Sequence, residues 1–296
     1  MNTLASPSVA VEPAPPRSRG YWAAVFGRFV RDPVAMGAGV VLLLLLMMAL
    51  FGPHLAPADP YASSMFKRLQ PIGSPDYPLG SDELGRDLLS RLIVGARLSL
   101  FIGITPVLLA FVIGTGIGVL AGYAGGVTNT VIMRTIDVFY AFPSVLLAIA
   151  LSGALGAGIF NSLVSLTIVF VPQIARVAES VTAQARNRDY VEAARATGAS
   201  AFTIVRVHVL GNVLGPIFVF ATSLIAVSMI LASGLSFLGL GVKPPEPEWG
   251  LMLNTLRTAI YTQPLVAALP GAMIFITSIS FNLLSDGLRS AMDHKG

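Results

Sequence analysis

Few residues in this 296-residue chain could perform covalent chemistry, and their spacing argues against it. The three lysines, Lys67, Lys243 and Lys295, follow Phe66, Val242 and His294 rather than glycine, so no phosphate-cradling P-loop can be assembled. His54, His208 and His294 are far apart and form no His-Glu-x-x-His pair, and cysteine is absent. A Gly-x-Ser-x-Gly nucleophile elbow is also missing. The sequence therefore assigns no catalytic residue, no cofactor-binding residue and no metal ligand.

Three polar groups do have informative spacing. Asp189-Tyr190-Val191-Glu192 has the spacing of a capping box, with Asp189 expected at the N-cap and Glu192 at the third helical position. Gly198 suits the left-handed position that closes such a helix after Thr197. Between them Ala193, Ala194 and Ala196 are small enough to let another surface approach, and a second helix is expected to start near Ser200. Asp82, Glu83, Arg86 and Asp87 form a charged turn that serves either as a solvated connection or as a docking element. Arg134 and Asp137 lie three apart, hence on one helix face, where they can pair at a membrane edge. An ionisable residue at membrane depth is otherwise a functional candidate.

The elements that must hold these groups are apolar. The chain is 54% hydrophobic and 11% charged, with a mean hydropathy of +0.77, too little polar surface for a water-soluble enzyme, a disordered chain or a disulfide scaffold. Its charges cluster and leave long charge-free runs. A bilayer span needs about 20 apolar residues, and the runs divide into six: Val34–Phe51, Leu98–Ala121, Val131–Leu151, Ser162–Ala175, Leu214–Leu240 and Pro264–Leu284. The division after Ala121 rests on Gly122-Tyr-Ala-Gly-Gly126. Gly114, Gly118 and Gly122 form a small-xxx-small ridge for close helix packing.

The expected organisation is a tail over 1–33, a first span over 34–51, a loop over 52–97, a five-helix core over 98–288 containing a polar region at 176–211, and a tail over 289–296. The first 20 residues, which include four prolines, read as a flexible tail rather than a signal peptide, because the apolar run begins only after Arg28, Arg31 and Pro33. Most of the 19 basic residues fall in segments that become cytoplasmic if both termini are inside. The net charge of +4 is read as this bias and not as nucleic-acid binding.

The stretch around Glu192 resembles the permease subunits of binding-protein-dependent ABC importers, whose signature is Glu-Ala-Ala, three residues, Gly, nine residues and Ile-x-Leu-Pro. Glu192-Ala193-Ala194 and Gly198 match, while His208 and Gly211 replace the final motif's aliphatic residue and proline. Pro78-Leu79-Gly80-Ser81-Asp82-Glu83-Leu84-Gly85-Arg86-Asp87, then Met133-Arg134-x-x-Asp137 with Ala141-Phe142-Pro143, then Leu235-Ser236-Phe237-Leu238-Gly239 with Pro244-Pro245 and Trp249-Gly250, are similar to stretches of the dipeptide, oligopeptide and nickel importers. Of the two permeases in such systems the chain resembles the one with a cytoplasmic tail and the shorter first outer loop.

The resemblance implies an all-α type I ABC permease of about six transmembrane helices in the bacterial inner membrane. It implies a second homologous permease, two cytoplasmic ATPases carrying ATP and Mg, an extracytoplasmic substrate-binding protein, and a coupling role for residues 189–198. Substrates of such subunits include peptides, nickel chelates and glutathione. The competing reading is a self-contained ion-coupled transporter or channel, which needs intramembrane carboxylates or histidines along a path; Asp137 alone comes near. A membrane-embedded hydrolase lacks a nucleophile and a base.

Overall fold

A computed structural model describes residues 21–293, so the first part of the expected N-terminal tail and His294 and Lys295 lie outside the described residues. Those described fold into helices joined mostly by short connections, the stretch 56–87 being an exception; the only sheet-like pairings among them are two isolated bridges within it, Ser74 with Tyr77 and Ser81 with Asp87. Five helices are long and apolar enough to cross a membrane, or six when one bent pair is taken as a single span.

Helix α1 (Tyr21–Phe29) leads into α2 (Pro33–Leu55). Pro33 can open α2 because a first-turn N–H is unpaired in any helix, and the Asp32 carboxylate accepts from Val34 N at 2.9 Å and Ala35 N at 3.2 Å. Helix α3 (Leu88–Ala124) has 37 residues, about 55 Å at 1.5 Å per residue. It begins ten residues before the expected Leu98 because Asp87 is its N-cap, accepting from Ser90 N at 2.8 Å. Charged Arg91 and Arg97 hide this polar first third from a hydropathy reading, so the preceding loop shrinks from 52–97 to 56–87. The expected break is present: Gly125, at φ +67°, ends α3 and precedes α4 (Gly126–Tyr140).

The third segment, read as one helix over Val131–Leu151, is instead a pair bent by 86°: α4, then α5 (Ser144–Leu155). Pro143 causes the break, since it cannot donate to the preceding turn and disfavours helical backbone at Phe142. Helix α6 (Ile159–Arg186) runs eleven residues beyond the expected end at Ala175, so the start of the polar region 176–211 is helix. A short helix α7 (Asp189–Ala196) follows. Helix α8 (Ala201–Phe237) joins the expected helix at Ser200 to the fifth span, with a π-turn at Ile204–Val209 in place of an end near Gly211. The chain closes with α9 (Trp249–Thr255) and α10 (Pro264–Asp293), the latter passing the expected Leu284.

The glycine ridge holds the centre. A Cβ on Gly118 would clash with the Ala175 carbonyl and stand 2.6 Å from Ala178 Cβ, while one on Gly122 would stand 2.6 Å from the Glu179 carbonyl and one on Gly114 2.9 Å from the Val171 carbonyl. Backbone therefore touches backbone between α3 and α6 along three turns. Contacts also sort the connections by end. At one end Gly158 N donates to Leu240 O at 3.2 Å and Tyr61 Oη to Glu246 Oε2 at 3.0 Å, which places the loops 56–87, 156–158 and 238–263 together. At the other end Arg28 donates to Ala291 O at 3.0 Å, so the two ends of the described chain share one side.

Candidate functional site

Helix α7 is eight residues long, too short to persist alone. Its sequence and neighbours fix it. Asp189 and Glu192 occupy the first turn and Arg195 the last, the arrangement that complements the helix dipole. Asp189 is the first helical residue, not the N-cap; Arg188 holds that place and no side chain caps the N-terminus, so the expected capping box does not form. The C-terminus matches expectation. Gly198, at φ +82°, donates to Arg195 O at 3.0 Å while Ala199 N reaches Ala194 O at 3.1 Å, the two bonds of a Schellman closure. Thr197 Oγ1 adds a bond to Ala194 O at 2.9 Å.

Two side chains seat α7 on the bundle. Val191 is fully buried and Ala194 is 8% exposed, and both join Ile204 and Val209 of α8 in the core. Ala194 thus points inward, a correction to the expected smooth face of three alanines. Outward-facing are Asp189, Tyr190, Glu192, Ala193, Ala196, Thr197 and Gly198, with open space beside Gly198. Arg195 lies 5.9 Å from the Tyr123 ring, so α7 sits at the α3 terminus next to Gly125. Only residues 187–188 separate α7 from α6, and only 197–200 separate it from α8. Phe202 and Val207, 74% and 61% exposed, extend this surface with apolar area; the sequence analysis does not single them out, because residue type alone does not tell an exposed apolar side chain from a buried one.

At the opposite end, the Asp82–Asp87 turn is neither solvated nor a free docking surface. Asp82, Arg86 and Asp87 are at most 5% exposed. Arg86 Nε is 2.6 Å from Asp82 Oδ2 and its NH2 group 2.9 Å from Glu83 Oε1, while Arg91 Nε stands 3.2 Å from Asp82 Oδ2. Arg91 also donates to Pro60 O at 2.9 Å and to Pro245 O at 3.3 and 3.4 Å. The cluster ties two loops to the top of α3, with its charged groups paired internally except Glu83 Oε2 and Asp87 Oδ1, which are buried without a hydrogen-bond partner. A buried pair of this kind gives little net stability but costs about 3–5 kcal/mol when one partner is removed.

The same end contains Glu248, which the sequence reading did not single out, although an acid directly before Trp249-Gly250 fits an N-cap. Its carboxylate accepts from Gly250 N and Leu251 N, both at 2.8 Å. Burial pushes its pKa up, and these backbone bonds together with Ser236 and Ser99 pull it down by a lesser amount. Trp249 is fully buried, its Nε1 donating to Leu92 O at 3.0 Å.

Arg134 and Asp137 do share a face, 3.8 Å apart, with Arg134 81% exposed. The closer partner of Asp137 is Arg176 of α6, which also stacks 5.4 Å from the Tyr140 ring. Spacing within α4 could not reveal a partner on another helix. The cluster ties the bent pair to α6. Among the described residues no three His, Cys, Asp or Glu groups gather as a metal site.

Comparison with known proteins agrees with this architecture. Residues 114–295, more than half the chain, match the family described as binding-protein-dependent transport system inner membrane component, and residues 20–71 match the N-terminal TM domain of oligopeptide transport permease C. The glutathione transport system permease protein GsiD of Pectobacterium atrosepticum is 43% identical over 93% of this chain and 91% of its own length. The di/tripeptide transport system permease protein DppC of Pseudomonas aeruginosa is 40% identical over 99% of this chain and 97% of its own. A chain from the inward-facing MetNI methionine ABC transporter shares the fold, at a TM-score of 0.56 and 20% identity over 68% of this chain and 95% of that one. Six spans with the bent pair counted as one, a short helix held between two of them, and similarity over nearly the whole length place this chain in the family of multi-pass inner-membrane permease subunits of binding-protein-dependent ABC importers, in its peptide class.

Proposed function

We propose that this permease forms a translocation path with a second, homologous permease, and imports peptides or peptide-like solutes of the size of glutathione. Two ATPase subunits on the cytoplasmic side bind ATP and Mg, and a substrate-binding protein delivers solute on the other. The chain itself makes and breaks no covalent bond. Its termini and α7 face the cytoplasm, in keeping with the basic residues at that end, and the loops 56–87 and 238–263 face outward. The substrate class is supported by relatives named for glutathione and for di- and tripeptides.

The observation that carries the reading is the mounting of α7. It exposes one face, closes on Gly198, and connects through two and four residues to spans of 28 and 37 residues. The glycine ridge then passes any displacement of α6 to α3 by backbone contact. A surface that must receive motion from a water-soluble partner and deliver it into lipid needs these properties.

The chain has no cysteine, so a single Ala193→Cys reporter is unambiguous. In the assembled complex it is expected to cross-link to an ATPase subunit and to resist a membrane-impermeant thiol reagent added from outside. Labelling from outside, or a cross-link to no nucleotide-hydrolysing chain, would overturn the assignment of α7. Transport by the isolated chain in liposomes would instead favour the self-contained transporter.

A further inference from the structure

At the end opposite α7 an apolar groove runs between α2 and α3, with a volume of about 1000 Å³, the upper end of the range for small-molecule sites of about 300–1,000 Å³. Its walls include Leu46, Leu50 and Phe101, 47%, 63% and 50% exposed, so it opens sideways toward the surroundings of the helices. From Leu55 at the end of α2 to Leu46 is nine residues, about 13 Å of helix, close to half of the roughly 30 Å hydrocarbon thickness. The groove is one leaflet deep.

Its lining carries charges of both signs. Arg97, Asp59 and Glu246 all border it and all are exposed. Arg97 makes no ion pair among the described residues. The two carboxylates sit on rims that other contacts fix. Ala58 N donates to Ser90 Oγ at 3.0 Å and Tyr61 N to Asp59 Oδ1 at 2.9 Å, while Tyr61 Oη donates to Glu246 Oε2 at 3.0 Å. Arg91 bridges the carbonyls of Pro60 and Pro245, one on each rim.

We propose that this groove binds a phospholipid with a primary-amine zwitterionic headgroup, phosphatidylethanolamine. An acyl chain fills the channel between α2 and α3, the phosphate pairs with the Arg97 guanidinium, and the ammonium donates to Asp59 and Glu246. Charge complementarity selects this occupant over the alternatives. A purely anionic headgroup would meet two carboxylates for one guanidinium, and a quaternary choline carries no N–H to donate. A bound lipid of this kind would hold the loop 56–61 against 245–247, at the end where Arg91 gathers them. The proposal needs only that the chain lies in a bilayer, so its failure and that of the transport reading are separable.

The test is native mass spectrometry of the full chain, purified in detergent with its co-purifying subunits and titrated with equal amounts of 1-palmitoyl-2-oleoyl phosphatidylethanolamine, phosphatidylcholine and phosphatidylglycerol. Preferential retention of phosphatidylethanolamine is expected. Arg97→Gln should reduce that retention roughly tenfold, the equivalent of one charge-assisted contact of about 1.4 kcal/mol. Asp59→Asn with Glu246→Gln should abolish the preference over phosphatidylcholine while lipid is still retained. As a second measurement, a fluorophore on Phe101→Cys should be quenched by brominated phosphatidylethanolamine in the folded wild-type background. Equal retention of the three lipids, an unchanged Arg97→Gln, or a cross-link from Phe101→Cys to a polypeptide filling the groove would each overturn the proposal.

Discussion

Two short helices at opposite ends of this bundle, α7 and α9, are of nearly equal length, eight and seven residues, yet are built in opposite ways. Helix α9 is sunk into the molecule: Trp249, Gly250, Leu251 and Met252 are all buried, its N-terminus is capped by a buried carboxylate, and its indole bonds to α3. Helix α7 buries only Val191 and Ala194, has no side-chain N-cap, and is finished at its C-terminus by a backbone closure. The first is a plug whose residues exist to be packed. The second keeps its surface free and is held mainly by its ends. Burial and capping together therefore separate a structural helix from one made for contact, where length and helical propensity do not.

Trp249→Ala should give the largest break in this contrast. It removes a fully buried ring and its bond to Leu92, with an expected loss of about 3–5 kcal/mol, read as a large fall in thermal stability of the detergent-purified protein and in yield. Gly198→Asp should separate fold from function. A side chain in left-handed backbone costs about 1–2 kcal/mol, so the protein stays inserted, while ATP hydrolysis by the complex becomes uncoupled from uptake in proteoliposomes. Normal uptake would remove α7 from the mechanism.

Glu248→Gln sharpens the comparison through pH. Burial raises the folded-state pKa of Glu248 above its ordinary value near 4.5, so the folded protein holds this proton more tightly than the unfolded chain. That contribution is fully present below the ordinary value and is lost as pH rises through the folded pKa. Stability of the wild type should therefore decline over that interval, and the amide variant should flatten the decline in a melting-temperature series. Glu192→Ala should have the smallest effect. With no capping bond to lose, only the dipole interaction of an exposed acid goes, about 0.3–1 kcal/mol, and circular dichroism and uptake should be near wild type.

The pattern of legible and hidden features follows from the range of the forces involved. Spans α2, α6 and α10, the glycine ridge and the Gly198 closure were readable because each rests on local composition or on one residue's backbone freedom. The early start of α3 was hidden, since Asp87 caps it inside a charged stretch where hydropathy reports loop. The bend at Pro143 was underread because proline in a membrane helix has several outcomes, and neighbouring groups decide among them. The charged turn at Asp82 and the Asp137–Arg176 pair were misread or half-read for a common reason. Their partners lie on other elements, and spacing along one helix carries no information about those.

The backbone contact between α3 and α6 also limits how this bundle can change shape. Where two helices meet through carbonyls and glycine α-carbons, no side chain is available to rotate and take up slack, so sliding one past the other would open a void across three turns. That pair therefore moves as one rigid body, without sliding of one helix on the other. Rearrangement during a transport cycle has to come from the hinged segment broken at Pro143 and from the helices that carry longer side chains between them.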